Sequence, residues 1–206
     1  MLAFMGQSTY LAQIGTQEID LPLVSLTSEL AIALMITVDL DVQFLDEAGQ
    51  QLAQILSDLQ VEVVVTIATM GIPIAISVVH ALNLEQYLVL HKTPKIHLSD
   101  ASFESVHSIT TASEQRLLLD RAREHLLRGK RVAVIDDVIS TGASVAAALR
   151  LVRRAGAEVV AVGVLATEAS QWRSALGDDA TLVRALGALP LFRPDGQGGL
   201  VEDWIG

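Results

Sequence analysis

Apolar and polar positions alternate in short blocks along this chain, and the period of each block predicts its element. Ser8 to Leu26 gives two extended segments separated by Gln13-Ile14-Gly15-Thr16-Gln17, the pattern of a hairpin. Asp46 to Leu59 switches to a helical period, with Ala48, Leu52, Ile55, Leu56 and Leu59 on one face and acids at its start. Val61 to Ala68, apolar except at Glu62 and Thr66, reads as a buried strand. Thr69-Met70-Gly71-Ile72-Pro73 then leads into a helix over Ile72 to Leu82, where Pro73 is tolerated in the first turn. Tyr87 to Leu90 predicts a strand, Arg121 to Leu127 a short helix and Arg131 to Asp136 another strand. Ser144 to Ala155 predicts a helix stopped by Gly156, and Val159 to Leu165 a further strand. Strands alternating with helices imply an α/β architecture, a parallel sheet with helices on both faces. Thr93 to Glu114 is polar, as expected of a functional loop or of a hairpin that covers a site. The tail from Gly187 reads as loop and edge structure.

Within this frame, residues 132 to 144 (VAVIDDVISTGAS) stand out. Val132, Ala133, Val134 and Ile135 form a buried strand, so Asp136 and Asp137 emerge at its carboxyl end, where open α/β sheets place their ligands. Ser140, Thr141, Gly142, Ala143 and Ser144 then open a helix. Small residues there leave main-chain amides free to hold a phosphate at the positive end of the helix dipole. Each charge-assisted hydrogen bond contributes on the order of 1.5 to 3 kcal/mol. A Walker loop would need Gly-Lys-Ser/Thr, and no lysine follows Asp136 before the helix.

Composition narrows the partners. The chain has 206 residues, 51% hydrophobic and 18% charged, enough for one sizeable core with surface left for self-association. With a net charge of −10, attraction to nucleic acid or to an anionic membrane is disfavoured. There is no cysteine, which excludes disulfides and thiol catalysis. The first cation is Lys92, so Met1 to Met5 lacks the early basic residues of a secretory or mitochondrial leader, and a cytoplasmic protein is expected. Leu30 to Val38 falls far short of the roughly 20 residues of a membrane helix. His80, His97, His107 and His125 show no metal-ligand spacing.

The 132 to 144 segment resembles the PRPP (phosphoribosyl pyrophosphate) signature of type I phosphoribosyltransferases, two acids followed by a Thr-Gly phosphate loop. The resemblance spans roughly residues 46 to 170 and is nearest the adenine and xanthine types. It implies the family's parallel sheet flanked by helices, with a small hood from the N- and C-terminal segments. Residues 1–206 would form one domain, with 46–170 as core and 1–45 and 171–206 as hood and edge. It also implies that Ser140 through Ser144 bind the 5-phosphate. Asp136 and Asp137 would grip the ribose hydroxyls and orient magnesium, directly or through water. The pyrophosphate turn maps to Ala68, Thr69, Met70 and Gly71, with Lys92 and Lys95 supplying cations that Met70 does not. The flexible loop maps to Ser105, His107, Ser108 and Thr110. A homodimer is expected.

Base activation is not carried by the resemblance. Hypoxanthine-guanine enzymes place an aspartate where this chain has Ser140, which favours an adenine or xanthine type, adenine first. Glu104 and Glu114 stand as substitutes for the missing loop acid. Glu168-Ala169-Ser170 would border the base pocket, and Phe192 and Trp204 are candidates for stacking on the purine or for packing the tail. The activity implied is transfer of the phosphoribosyl group from PRPP to a purine base. The alternatives are a PRPP-sensing regulatory protein of the same fold and an orotate-type transferase.

Overall fold

The computed structural model describes residues 9–94, 100–106 and 115–206. Strands β1 (Thr9–Ile14) and β2 (Gln17–Ser25) pair antiparallel across a tight turn at Gly15-Thr16, as the alternation predicts. β3 (Ala31–Ala33) follows, then a 3-10 turn over Thr37–Asp39. Helix α1 (Val42–Leu56) starts four residues ahead of the expected Asp46. Its cap is Asp41, whose carboxylate accepts the amides of Gln43 (2.7 Å) and Phe44 (3.4 Å).

The central unit is β4 (Val63–Ile67), α2 (Gly71–Ala81) and β5 (Tyr87–Leu90), then, after a hairpin, β8 (Arg131–Ile139), α3 (Ala143–Arg154) and β9 (Glu158–Glu168). The hairpin is β6 (Ala101–Val106) with β7 (Gln115–Asp120), and a 3-10 turn over Arg121–Leu126 stands where a short helix is expected. A short helix α4 (Trp172–Leu176) leads to β10 (Val183–Leu189), β11 (Leu191–Pro194) and β12 (Leu200–Asp203). The tail is therefore richer in strand than its glycines and prolines suggest. Its first strand completes the parallel sheet and the other two complete the hood.

The parallel sheet runs β5-β4-β8-β9-β10, and an antiparallel sheet β1-β2-β3-β11-β12 joins both ends of the chain. Side chains on the central strands alternate between two cores, as the strand period of two demands. Val64, Ala133, Ile135, Ala161 and Leu165 face α1, α2 and the hood. Val65, Val132, Val134, Val162 and Val164 face α3 and the hairpin, whose Val106, Leu117 and Leu119 join that core. Each such fully buried side chain contributes about 1.5 to 3 kcal/mol. The hood is anchored on the sheet by Gly15 N donating to Leu186 O at 2.9 Å and on α1 by Thr16 N donating to Gln51 Oε1 at 3.0 Å.

Candidate active site

The sheet order reverses direction between β4 and β8, because α2 carries the chain outward to β5 while α3 carries it the other way to β9. Ligands of open α/β sheets bind at such switch points, outside the carboxyl ends of the strands. Register opens the cleft here. β4 pairs with β8 only as far as Thr66 with Ile135, whereas β9 continues alongside β8 to Ile139. Asp136 and Asp137 thus lie inside a strand rather than at its end, at the point where the neighbour on one side has stopped. The resulting cleft, about 270 Å³, is lined by the 67–70 turn, Lys92, residues 136–142, Ser144 and Val145.

Asp136 is buried, at 7% exposure, which corrects the expectation that both acids reach solvent. Burial pushes its carboxyl well above the usual carboxylate range. The charge and hydrogen bond of Asp137 push the same way, and the Lys92 ammonium draws it partly back. The acid sits tightly against the start of α2. A Cβ on Gly71 would lie 2.6 Å from Asp136 Oδ1 and 2.5 Å from Thr66 Oγ1, so only glycine lets this turn approach the strand. Thr66 Oγ1 is buried and has no hydrogen-bond partner among the described residues.

The far wall is the start of α3. Gly142 holds φ +80°, a conformation that disfavours side chains, and an added Cβ would also stand 3.0 Å from Trp172 O. This turn sets the first amides of a twelve-residue helix toward the cleft, a ready anion site. Thr141, Gly142 and Ser144 line it, while Ala143 is held behind them, its amide donating to Thr141 Oγ1 at 3.4 Å. The Ser140 hydroxyl is engaged differently, donating to Glu168 Oε2 at the end of β9. Glu168 is 6% exposed. Burial raises its carboxyl above the usual value, and the Ser140 hydrogen bond lowers it.

The structure thus brings together Ala68, Thr69, Met70, Lys92, Asp136, Asp137 and most of the 140–144 loop, with Gly71 packed beneath. It does not bring Ser105 there. Ser105 lines a separate groove with Glu104, Arg121 and Arg154, and its carbonyl accepts from Arg150 at 3.2 Å. Glu104 is paired with Arg150 and Arg154, away from the cleft. Lys95, His107, Ser108, Thr110 and Glu114 lie outside the described residues. Phe192 is buried in the hood core, edge-on to Tyr10 at 5.2 Å, and Trp204 donates to Glu202 at 2.9 Å. One contact escaped the sequence reading. Thr37 Oγ1, fully buried in the hood, donates to the carbonyl of Met70. Its only trace in sequence is a lone hydroxyl within the apolar run 30–38.

A parallel sheet with an acid pair at its switch point, a glycine-started turn on one side and a helix-start anion site on the other defines an α/β protein with one polar cleft suited to an anionic ligand. The chain belongs to the phosphoribosyl transferase domain family, whose model matches residues 41–183. Over 127 residues it is 29% identical to xanthine phosphoribosyltransferase 1 of Clostridium perfringens, covering 61% of this chain and 66% of that protein, just under two thirds of its length. It is 32% identical over 138 residues to the xanthine phosphoribosyltransferase of an Exiguobacterium, covering 66% and 67%. A probable purine biosynthesis regulator of Streptococcus pneumoniae is 28% identical over 141 residues, 68% of this chain and 50% of that protein. The adenine phosphoribosyltransferase of Giardia lamblia, solved with 9-deazaadenine, shares the fold with TM-score 0.60 at 19% identity, over 69% of this chain and 78% of the other.

Proposed function

We propose that the protein is a purine phosphoribosyltransferase: purine base and PRPP react to give the nucleoside 5-monophosphate and pyrophosphate, with inversion at the anomeric carbon. The observation that carries this reading is the convergence, in one cleft, of three segments far apart in sequence: the 68–71 turn, the Asp136-Asp137 pair and the start of α3. They match the three groups PRPP presents. The α3 amides with Thr141 and Ser144 hold the 5-phosphate, and the acids accept the ribose hydroxyls. The 68–71 turn and Lys92 hold the pyrophosphate. Alignment of the two reactants and stabilisation of the leaving group then supply most of the rate.

Magnesium fits this donor set. The cleft presents a pair of adjacent carboxylates, Asp136 and Asp137, and this ion characteristically uses one or two carboxylates plus water and substrate oxygens. Asp136 and Asp137 would hold it, and when bound it would offset pyrophosphate charge alongside Lys92.

We read the chain as a single domain and a cytoplasmic homodimer; the pairing of β3 with β11 in one hood sheet supports the single domain, and exposed Val38, Val42 and Ile76 support the self-association. Among the described residues no helix is long and apolar enough to cross a membrane. Ser140 favours an adenine or xanthine type without separating the two, and the names of the sequence relatives favour xanthine. The test is to incubate the protein with PRPP, magnesium and each of adenine, xanthine, hypoxanthine, guanine, orotate and uracil, and to identify the monophosphate formed. A second reading, a PRPP sensor, is favoured by the similarity to the streptococcal regulator. Tight PRPP binding without pyrophosphate release for any base would select it.

A further inference from the structure

We propose that Ser140 and Glu168 form a proton relay that removes the proton an incoming purine gives up as its nitrogen bonds to the sugar. This deepens the function proposed above and rests on it. The 68–71 turn follows β4, on one side of β8, and Glu168 ends β9, on the other side. With the ribose held over β8 by Asp136 and Asp137, an inverting displacement puts base and pyrophosphate on opposite sides of the anomeric carbon. Pyrophosphate over the 68–71 turn therefore places the base on the β9 side, where Ser140 stands on the cleft wall.

Ser140 is exposed and its hydroxyl is bonded to Glu168 Oε2. Behind it Glu168 is buried at 6% exposure, and this is the one hydrogen bond found for its side chain among the described residues. A carboxyl so placed cannot touch the substrate except through the serine. The electrons and atoms balance as follows. The N9 lone pair of the base forms the bond to the anomeric carbon as the carbon–oxygen bond to pyrophosphate breaks. The N7–H electron pair returns to the ring, the N7 proton passes to Ser140 Oγ, and the Ser140 proton passes to Glu168 Oε2. Glu168 later releases it to water.

Burial raises the proton affinity of Glu168 toward the working range of a general base, and Ser140 opposes this. Among the described residues no charged neighbour contributes. Asp136 and Asp137 on β8, Arg184 on β10 and Arg173 on α4 leave it unshifted by charge, Asp46 of α1 bonds Ser77, and the α3 arginines are spent on Glu104 and Asp179. Ser140 is thus the catalytic residue of the pair and Glu168 a positioning and proton-accepting residue behind it.

The experiment is kcat against pH, with a purine that yields nucleotide, for the wild type, Ser140→Ala, Glu168→Gln and the double variant. Glu168→Gln keeps the side-chain volume and an acceptor oxygen. We expect the wild type to lose activity as pH falls through the Glu168 titration. Each single variant should lose about a hundredfold in kcat together with that acid limb, with KM for PRPP within about twofold. The double variant should be no worse than either single, as for residues acting as one unit. Ser140 is exposed, so Ser140→Ala reads the same limb should Glu168→Gln fail to fold. Retention of the acid limb in either single variant, or multiplicative losses in the double, overturns the relay while leaving the transferase reading standing. A wild type that makes no nucleotide from any purine overturns both.

Discussion

Replacing Gly71 by alanine tests how closely the α2 turn and Asp136 depend on each other. The added methyl would stand 2.6 Å from Asp136 Oδ1, 2.5 Å from Thr66 Oγ1 and 3.2 Å from Asp136 Cα. Ordinary contact is about 3.5 Å, so the carboxylate must retreat by roughly 1 Å, and the nearby main chain restricts its escape. Overpacking of this kind costs about 1 to 3 kcal/mol, which for a protein of this size lowers the melting temperature by roughly 2 to 12 °C. A 1 Å displacement of a substrate-gripping group costs about a hundredfold in kcat/KM. The matched control is Gly49→Ala, whose methyl would stand 2.4 Å from Ser77 Cβ where α1 crosses α2, away from the cleft. Both variants are followed by thermal melts and by nucleotide formation below the melting range. The expected result is similar destabilisation but activity lost only in Gly71→Ala. Equal activity in the two, at either the wild-type or a reduced level, would refute the placement of Asp136 in the reaction.

Two further outcomes follow from the charges in the cleft. The Asp136 carboxyl holds its proton to higher pH folded than unfolded, so the stability it contributes is full below its ordinary value of 3.8 and is lost as pH rises through the folded value. Asp136→Asn has no such loss. Urea unfolding between pH 4 and 8 should show the variant gaining on the wild type as pH rises, though it makes little nucleotide; a pH-independent difference would contradict the assignment. Lys92→Ala removes a cation that lines the cleft and stabilises ionised Asp136. Loss of one charge-assisted bond of about 1.5 to 3 kcal/mol should raise KM for PRPP by roughly 10- to 150-fold, and steady-state kinetics at saturating base would show it.

The main sheet was legible because its strands are buried on both faces and read as near-continuous apolar runs, Val63 to Val65 and Val132 to Ile135 above all. The anion loop was legible because its small residues are contiguous. What sequence hid is non-local. The strands Leu191–Pro194 and Leu200–Asp203 are four residues each and exist through pairing with each other and with β3, far away in sequence. The Ser140–Glu168 contact joins residues 28 positions apart through strand register. The early start of α1 was available in principle, since Asp41 followed by Phe44 and Leu45 is a capping pattern.

The hydrogen bond from Thr37, in the 3-10 turn after β3, to the Met70 carbonyl links the lid formed by the hood to the loop assigned to the leaving group. On the proposal that the hood selects the base and the 68–71 turn holds the pyrophosphate, choosing an acceptor and releasing a product share one mechanical joint. Retuning this scaffold for a different nucleobase by altering the lid would reposition that loop as well, so selectivity and turnover in this molecule are expected to evolve together rather than independently.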